Sequence, residues 1–137
     1  AMFLPGGWLR TRDVGRFDAE GFLHLVDRTS DMIVSGGYNV YPREVEDVLS
    51  AHPAVREVAV VGLPDDRWGE QVTAFVALRP DTAATEAELC AFAREGLADY
   101  KSPKAVRFVD EIPKSAVGKP LRRALRDPFW VGRERKI

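Results

Sequence analysis

Two runs of apolar residues rich in β-branched side chains most constrain how this chain can fold. They occupy residues 55–63 and 71–78, and a polar loop at 64–70 separates them. β-Branched residues fit the pleated surface of a strand, so the runs predict two neighbouring strands of one sheet. The chain has 137 residues, which is enough to bury one domain core.

Two helices are predicted beside these strands. Pro42 stands where a helix can begin, because its missing N–H would have no partner in the first turn. Apolar residues follow at helical spacing until Pro53 ends the run. Thr85 and Glu88 have the spacing of a capping box, which predicts that the second helix begins after Thr85.

Shorter elements are predicted towards both ends of the chain. Strands at 22–26 and 32–34 would pair as a hairpin, and a third short strand is expected at 106–109. A last helix would start at Pro120, with Leu121 and Leu125 facing inward and three arginines outward, namely Arg122, Arg123 and Arg126. Strands interleaved with helices predict an α+β domain with a small mixed or antiparallel sheet and flanking helices.

Charge is divided unevenly along the chain although the formal net charge is only −1. Residues 1–100 hold 9 Lys/Arg and 17 Asp/Glu, a balance of −8, whereas residues 101–137 hold 11 and 4, a balance of +7. The basic last third indicates either an anionic partner, such as phosphates or an acidic domain face, or an ordinary solvated surface.

Composition also excludes several classes of protein. No run of residues approaches the roughly 18 consecutive apolar positions that a membrane-spanning helix needs. Cys90 is the single cysteine, which excludes an internal disulfide and favours a reducing compartment, so a cytoplasmic protein is expected. His24 and His52 are not paired in a ligand pattern, and no metal site built by the protein is expected.

Three stretches contain more glycine and charge than simple packing requires. They are GWLRTRDVGRFDAEGFLHLVDR at 7–28, SGGYNVYPREVE at 35–46 and PKSAVGKPLRR at 113–123. In the third, Lys119 follows Gly118 in a loop of small residues, where a mobile cation could meet phosphate or carboxylate. The pattern GxxxxGK[ST] does not occur, so a Walker-type phosphate loop is not predicted.

In this order and spacing, the three stretches resemble the adenylate-forming superfamily of acyl-CoA synthetases, aryl-CoA ligases, luciferases and peptide-synthetase adenylation domains. The resemblance covers Gly7 to about Asp127, and residues 31–46 are most similar to fatty-acyl and aryl-CoA ligases. It implies that residues 1–29 are the hairpin-like last piece of a large N-terminal adenylating domain. Residues 30–137 would be the mobile C-terminal domain. The isolated 137-residue chain is expected to fold but not to catalyse the reaction.

The resemblance implies roles in the nucleotide site. Asp13 matches the family aspartate that binds the ATP ribose, where a carboxylate can accept two hydrogen bonds from the diol. Arg12 stands directly before Asp13, where family members usually have a glycine. Arg28 matches an arginine expected near the ribose or phosphates, Ser30 occupies the hinge position, and Lys119 matches the adenylation lysine.

A second group of residues is implied in coenzyme A binding. The Ser-Gly-Gly turn is similar to the loop that lines the family's thiol tunnel, where side chains would block a thin acyl-carrier arm. Two ordinary alternatives stay open. The two glycines could form a plain turn between strands, and Trp68 could be an aromatic cap over the sheet edge. Ser102 replaces an arginine of some relatives. The implied coenzyme A residues are Gly36, Gly37, Trp68, Tyr100, Lys101 and Lys104.

The implied reaction has two steps. ATP and a carboxylic acid give an acyl-adenylate, and the coenzyme A thiol then displaces AMP, with Mg²⁺ accompanying ATP in the rest of the enzyme.

The expected partners are the N-terminal adenylating domain and these small molecules, with no nucleic acid. Two alternatives remain, a stand-alone binding or partner module and a subdomain of a peptide-synthetase adenylation domain. The acyl substrate stays open.

Overall fold

The two apolar runs form the longest strands in the computed structural model, which describes residues 3–135. Strand β7 (Val55–Asp65) and strand β8 (Gly69–Leu78) pair antiparallel along almost their whole length. The Asp65 carboxylate accepts hydrogen bonds from the backbone N–H groups of Arg67 and Trp68 at 2.9 and 2.8 Å. This closes the turn tightly, so the strands extend into most of the predicted loop.

Three further strands complete a mixed sheet. Strand β5 (Ile33–Ser35) and strand β6 (Tyr38–Val40) form an antiparallel hairpin, and β5 meets β8 where Ser35 pairs with Gly69. Strand β9 (Ala105–Phe108) runs parallel to β8. The order is β6-β5-β8-β7, with β9 also on β8. The predicted α+β class with a mixed sheet is confirmed.

Both predicted main helices are present and begin as the sequence indicates. Helix α1 (Pro42–Ser50) has a proline in its first turn and buries Val45 and Leu49. Helix α2 (Glu86–Gly96) has the predicted capping box, in which the backbone N–H of Glu88 donates to the Thr85 side chain. In the region that the structure describes, no helix has the length and apolar character needed to cross a membrane.

The sheet is buried on both faces, which explains why its central strands are continuously apolar. One core contains residues of the sheet and of α1 and α2, including Val60 and Val76. The other contains Val61, Phe75 and Ile112, with Leu125 of the C-terminal region packed against it. Neighbouring residues of β7 therefore face opposite cores.

The predicted pairing of strands at 22–26 and 32–34 is wrong. Strand β3 (Asp13–Phe17) pairs with β4 (Leu23–Arg28), and a smaller pair precedes it, β1 (Phe3–Leu4) with β2 (Trp8–Leu9). The Asp18 carboxylate accepts from the backbone N–H groups of Glu20 and Phe22. These bonds close a turn directly before β4, and the chain therefore reaches β4 from β3.

The last helix also differs from the prediction. Helix α3 (Arg122–Arg126) begins two residues after Pro120, which instead pairs with Lys114 in an isolated bridge. Leu121 is exposed, whereas Arg122 and Arg126 are largely buried and only Arg123 projects outward. The reason is electrostatic, because buried carboxylates of other elements pair with Arg122.

Candidate functional site

Lys119 lies in a closed loop between β9 and α3. The backbone N–H of Leu121 donates to the carbonyl of Pro113 at 2.8 Å, and that of Gly118 donates to Ser115 at the same distance. Gly118 has a φ of +76°, a conformation that residues with a Cβ rarely adopt. The loop therefore holds Lys119 on an exposed tip, with its side chain in solvent.

An open cleft of about 650 Å³ separates the Lys119 loop from the β3–β4 hairpin. Asp13 and Arg28 are register partners on the two strands of that hairpin, with 3.3 Å between the Asp13 carboxylate and the Arg28 guanidinium. The structure thus brings the three predicted nucleotide residues, far apart in sequence, to one cavity. Its polar lining consists of the side chains of Asp13, Asp27, Arg28, Arg43, Ser115, Lys119 and Arg122.

The cleft is also lined by polar residues that were not predicted to belong to it, namely Asp27, Arg43, Ser115 and Arg122. Arg43 stands in the first turn of α1, and its backbone N–H donates to the Asp27 carboxylate of β4 at 3.0 Å. This bond ties the hairpin to the start of α1. The cleft is lined by four basic side chains, those of Arg28, Arg43, Lys119 and Arg122, so it suits an anion. The sequence signal for Arg43 was its place directly after Pro42, at the start of a predicted helix.

Ser30, the predicted hinge residue, lies in the connection between β4 and β5. It does not line the Lys119 cleft. Its carbonyl oxygen accepts from the guanidinium groups of Arg126 at 3.4 Å and Arg135 at 3.1 Å. Nearby, Arg12 has a φ of +65°, and its carbonyl accepts from the Thr29 backbone N–H at 2.9 Å. Arg12 thus adopts a left-handed backbone conformation that favours glycine, at a strain on the order of 1–2 kcal/mol.

The predicted thiol-loop residues form a separate group. Gly36 and Gly37 turn β5 into β6 with φ values of +59° and +84°. The Gly36 backbone N–H donates to the Trp68 carbonyl at 2.9 Å, and a Cβ on Gly36 would lie 2.8 Å from the Trp68 ring. Trp68 therefore requires glycine at position 36, whereas a Cβ on Gly37 would meet no atom within 4 Å.

Tyr100 lies beside this turn, and the two lysines near it are engaged within the domain. Its ring centroid is 4.7 Å from that of Tyr38. The Lys101 ammonium pairs with the Glu44 carboxylate at 2.6 Å, which raises the pKa of Lys101 although burial opposes the shift. The Lys104 ammonium donates to the Asp99 carbonyl at 2.8 Å. These lysines do not line the Lys119 cleft.

Comparison with known proteins decides the family. The model described as the AMP-binding enzyme C-terminal domain matches residues 44–119. The chain belongs to this family. Its sequence is 48% identical over 138 residues to the medium/long-chain-fatty-acid–CoA ligase FadD8 of Mycobacterium tuberculosis, across 96% of this chain and 24% of the relative.

Two further proteins are similar to this AMP-binding C-terminal domain. A 2-succinylbenzoate–CoA ligase of Bacillus cereus is 50% identical over 123 residues, across 90% of this chain and 25% of the relative. The solved structure of ATP-bound MatB from Rhodopseudomonas palustris matches with a TM-score of 0.87 at 37% identity, across 93% of this chain and 25% of the other. The chain thus spans about a quarter of the length of the curated relatives that it matches.

The AMP-binding C-terminal domain offers no cluster of metal ligands among residues 3–135, where no group of three or more His, Cys, Asp or Glu side chains could hold an ion. The charged side chains that line the cleft are Asp13, Asp27 and Arg28 of the hairpin, Arg43 of α1, Lys119 of the loop and Arg122 of α3.

Proposed function

We propose that this chain is the C-terminal part of an ATP-dependent, AMP-forming acid–CoA ligase and that Lys119 is its adenylation lysine. The observation that carries the proposal is the cleft in which Lys119 faces the Asp13–Arg28 pair. Residues 1–29 would belong to the large adenylating domain and residues 30–137 to the mobile domain. The nucleotide site would then lie between the two.

The first half-reaction explains why a lysine is needed at this place. A carboxylate oxygen attacks the α-phosphorus of ATP, the bond to pyrophosphate breaks, and an acyl-adenylate forms. Both reactants are anions, so a cation between them stabilises the charge that develops in the transition state. Lys119 has a compact ammonium on a long stem and stands on an exposed loop, which suits that reach. Asp13 would bind the ribose hydroxyls and Arg28 the phosphate region.

The second half-reaction would use the other group of residues. The coenzyme A sulfur attacks the acyl carbon, AMP leaves, and the thiol proton goes to solvent or a base. Gly36 and Gly37 would line the path of the pantetheine arm. Trp68 and Tyr100 would pack against the coenzyme. The separation of this group from the Lys119 cleft supports a domain rotation at Ser30 that exchanges the two groups.

Lys101 and Lys104 would contact the coenzyme phosphates, and each would first have to exchange its present partner, Glu44 or Asp99. Mg²⁺ would be bound by ATP phosphate oxygens and the remaining part of the enzyme, where it would neutralise phosphate charge. The names of the relatives support a fatty or aryl acid as substrate. We place the enzyme in the cytoplasm, as the free Cys90 favours.

The test is an assay of the longer protein that carries this sequence, or of residues 1–137 fused to the N-terminal domain of a fatty-acyl–CoA ligase. With a panel of fatty and aryl acids, we expect AMP, pyrophosphate and an acyl-CoA in equal amounts. Residues 1–137 alone should melt cooperatively and release no pyrophosphate. Formation of ADP, or loading of a carrier protein without any coenzyme A thioester, would contradict the proposal.

A further inference from the structure

Arg122, at the start of α3, makes the most extensive set of side-chain bonds near the Lys119 loop. Its guanidinium donates two hydrogen bonds to the Glu46 carboxylate, at 3.0 and 2.6 Å. A third donor of the same group reaches the Asp31 carboxylate at 3.2 Å. The first contact is the fork-to-fork arrangement in which a planar guanidinium fixes direction as well as distance.

The partners of Arg122 are largely buried, and Glu46 is held by a further hydrogen bond. The Arg122, Glu46 and Asp31 side chains are only 18%, 14% and 19% exposed. Glu46 lies on α1, one residue from the buried Val45, and also accepts from the Val60 backbone N–H of β7 at 2.8 Å. Burial disfavours the Arg122 cation, but its bonds to Glu46 raise its pKa, so the charge is retained.

Arg122 thereby anchors one end of the Lys119 loop, three residues from Lys119 itself. At the other end Lys114 pairs with Glu57 of β7, in a more exposed position. The loop between these two anchors has little packing of its own, since the residues from Ala116 to Pro120 are all exposed. The path of the backbone at Lys119 therefore depends on where α1 and β7 hold the two anchors.

We propose that Arg122 is a positioning residue for Lys119: its bonds to Glu46 and Asp31 set where the lysine loop lies relative to α1 and to Asp31, the neighbour of the predicted hinge residue Ser30. The proposal rests on the function proposed for Lys119. A misplacement of about 1 Å at a reacting group can lower a rate by roughly 100-fold. Loss of Arg122 should therefore weaken adenylation specifically, through the place of Lys119, although Arg122 itself also lines the cleft.

The experiment compares Arg122→Lys and Arg122→Met in the complete ligase, with the two half-reactions measured separately. Arg122→Lys keeps the charge and removes the two-pronged contact with Glu46, so the domain should still fold even if the methionine variant does not. We expect adenylate formation to fall by about 10- to 100-fold in kcat. Thioester formation from preformed acyl-adenylate should stay within about twofold of the unmodified protein.

Arg123→Met is the matched control, because Arg123 is exposed and, among residues 3–135, its side chain bonds to Asp127 one turn away. It should leave both half-reactions unchanged. A merely structural role of Arg122 would lower both half-reactions together or only shift the melting temperature. Equal loss in both half-reactions, or no loss in either, would overturn the proposal.

A double variant separates this inference from the proposed function. If Arg122 acts only through Lys119, Lys119→Ala with Arg122→Lys should form adenylate no more slowly than Lys119→Ala alone. A further loss of tenfold or more in the double variant would overturn the positioning role while leaving Lys119 in place. If Lys119→Ala itself leaves adenylate formation unchanged, the proposed function fails, and the positioning role fails with it.

Discussion

The Glu70 carboxylate accepts two hydrogen bonds from the Arg135 guanidinium, at 2.6 and 3.0 Å. The Glu70 side chain is 5% exposed and that of Arg135 16%. Arg135 also donates to the carbonyl oxygens of Ser30 and Met32, at 3.1 and 2.8 Å. One guanidinium thus ties the C-terminal segment both to β8 and to the predicted hinge. Gly62 of β7 has no side chain, which leaves the space that the Glu70 carboxylate fills.

Removal of Arg135 should destabilise the domain strongly, because it leaves the Glu70 carboxylate buried without its counter-charge, with the Val34 backbone N–H at 3.3 Å as the remaining donor among the described residues. Arg135→Met is expected to lower the free energy of unfolding by about 3 kcal/mol, as is usual when one member of a buried ion pair is deleted. Arg133→Met is the control, since Arg133 pairs with the exposed Asp66 and such pairs contribute about 0–1 kcal/mol. Urea denaturation measures both values, and equal values would contradict this account.

Replacement of Lys119 should separate the two half-reactions. Lys119→Ala in the complete enzyme is expected to slow adenylate formation by on the order of 10²-fold or more, because a transition-state charge loses its counter-charge. Thioester formation from preformed acyl-adenylate should be largely spared. Val117→Ala, at an exposed position of the same loop, is the control. Pyrophosphate release and acyl-CoA formation report the two steps, and a comparable loss in both would exclude a role in the first step only.

The two glycines of the β5–β6 turn should respond differently to substitution. Gly37→Leu has space for its side chain in this structure but places it at a φ of +84°, a strain of about 1–2 kcal/mol. We expect near-normal pyrophosphate release, suppressed thioester formation and accumulation of acyl-adenylate. Gly36→Ala meets the Trp68 ring and should displace it.

A control for Gly37→Leu is available at Gly132, which has a φ of +78° and equally open surroundings. Gly132→Leu should cost similar stability and leave thioester formation intact. Thermal melts beside the two assays separate strain from blockage. If both leucine variants lose thioester formation in proportion to stability, Gly37 is only a turn residue.

The Glu57–Lys114 pair should make stability depend on pH in the acid range. The hydrogen bond from Lys114 lowers the pKa of Glu57, with burial opposing and the Ile112 N–H assisting. Because the pKa of Glu57 is lower in the folded state, the pair contributes its full stabilisation above the unfolded-state pKa of about 4.3. It is lost as pH falls through the folded value. Glu57→Gln and Lys114→Met should each flatten the stability profile below about pH 5, whereas an unchanged slope in both would contradict the assignment.

Local patterns in the sequence were sufficient for much of the fold. The strands around 55–63 and 71–78, the proline at the start of α1 and the Thr85 capping box all appear as predicted. Each depends on residues within a few positions of one another, through side-chain shape, a missing N–H or a short hydrogen bond. The ordered motifs also identified the family, because their spacing carries information along the whole chain.

Other features were decided only by the tertiary structure. Arg122 bonds to Glu46, 76 residues away, and Arg135 bonds to Ser30, 105 residues away. Sequence alone therefore assigned Arg122 to the solvent-facing side of its helix. The cleft likewise exists only because the fold brings Asp13 and Lys119 together. The sequence by itself determined which short segments could be strands, helices and charged loops, whereas long-range packing decided which charges face one another, since no local periodicity encodes that proximity.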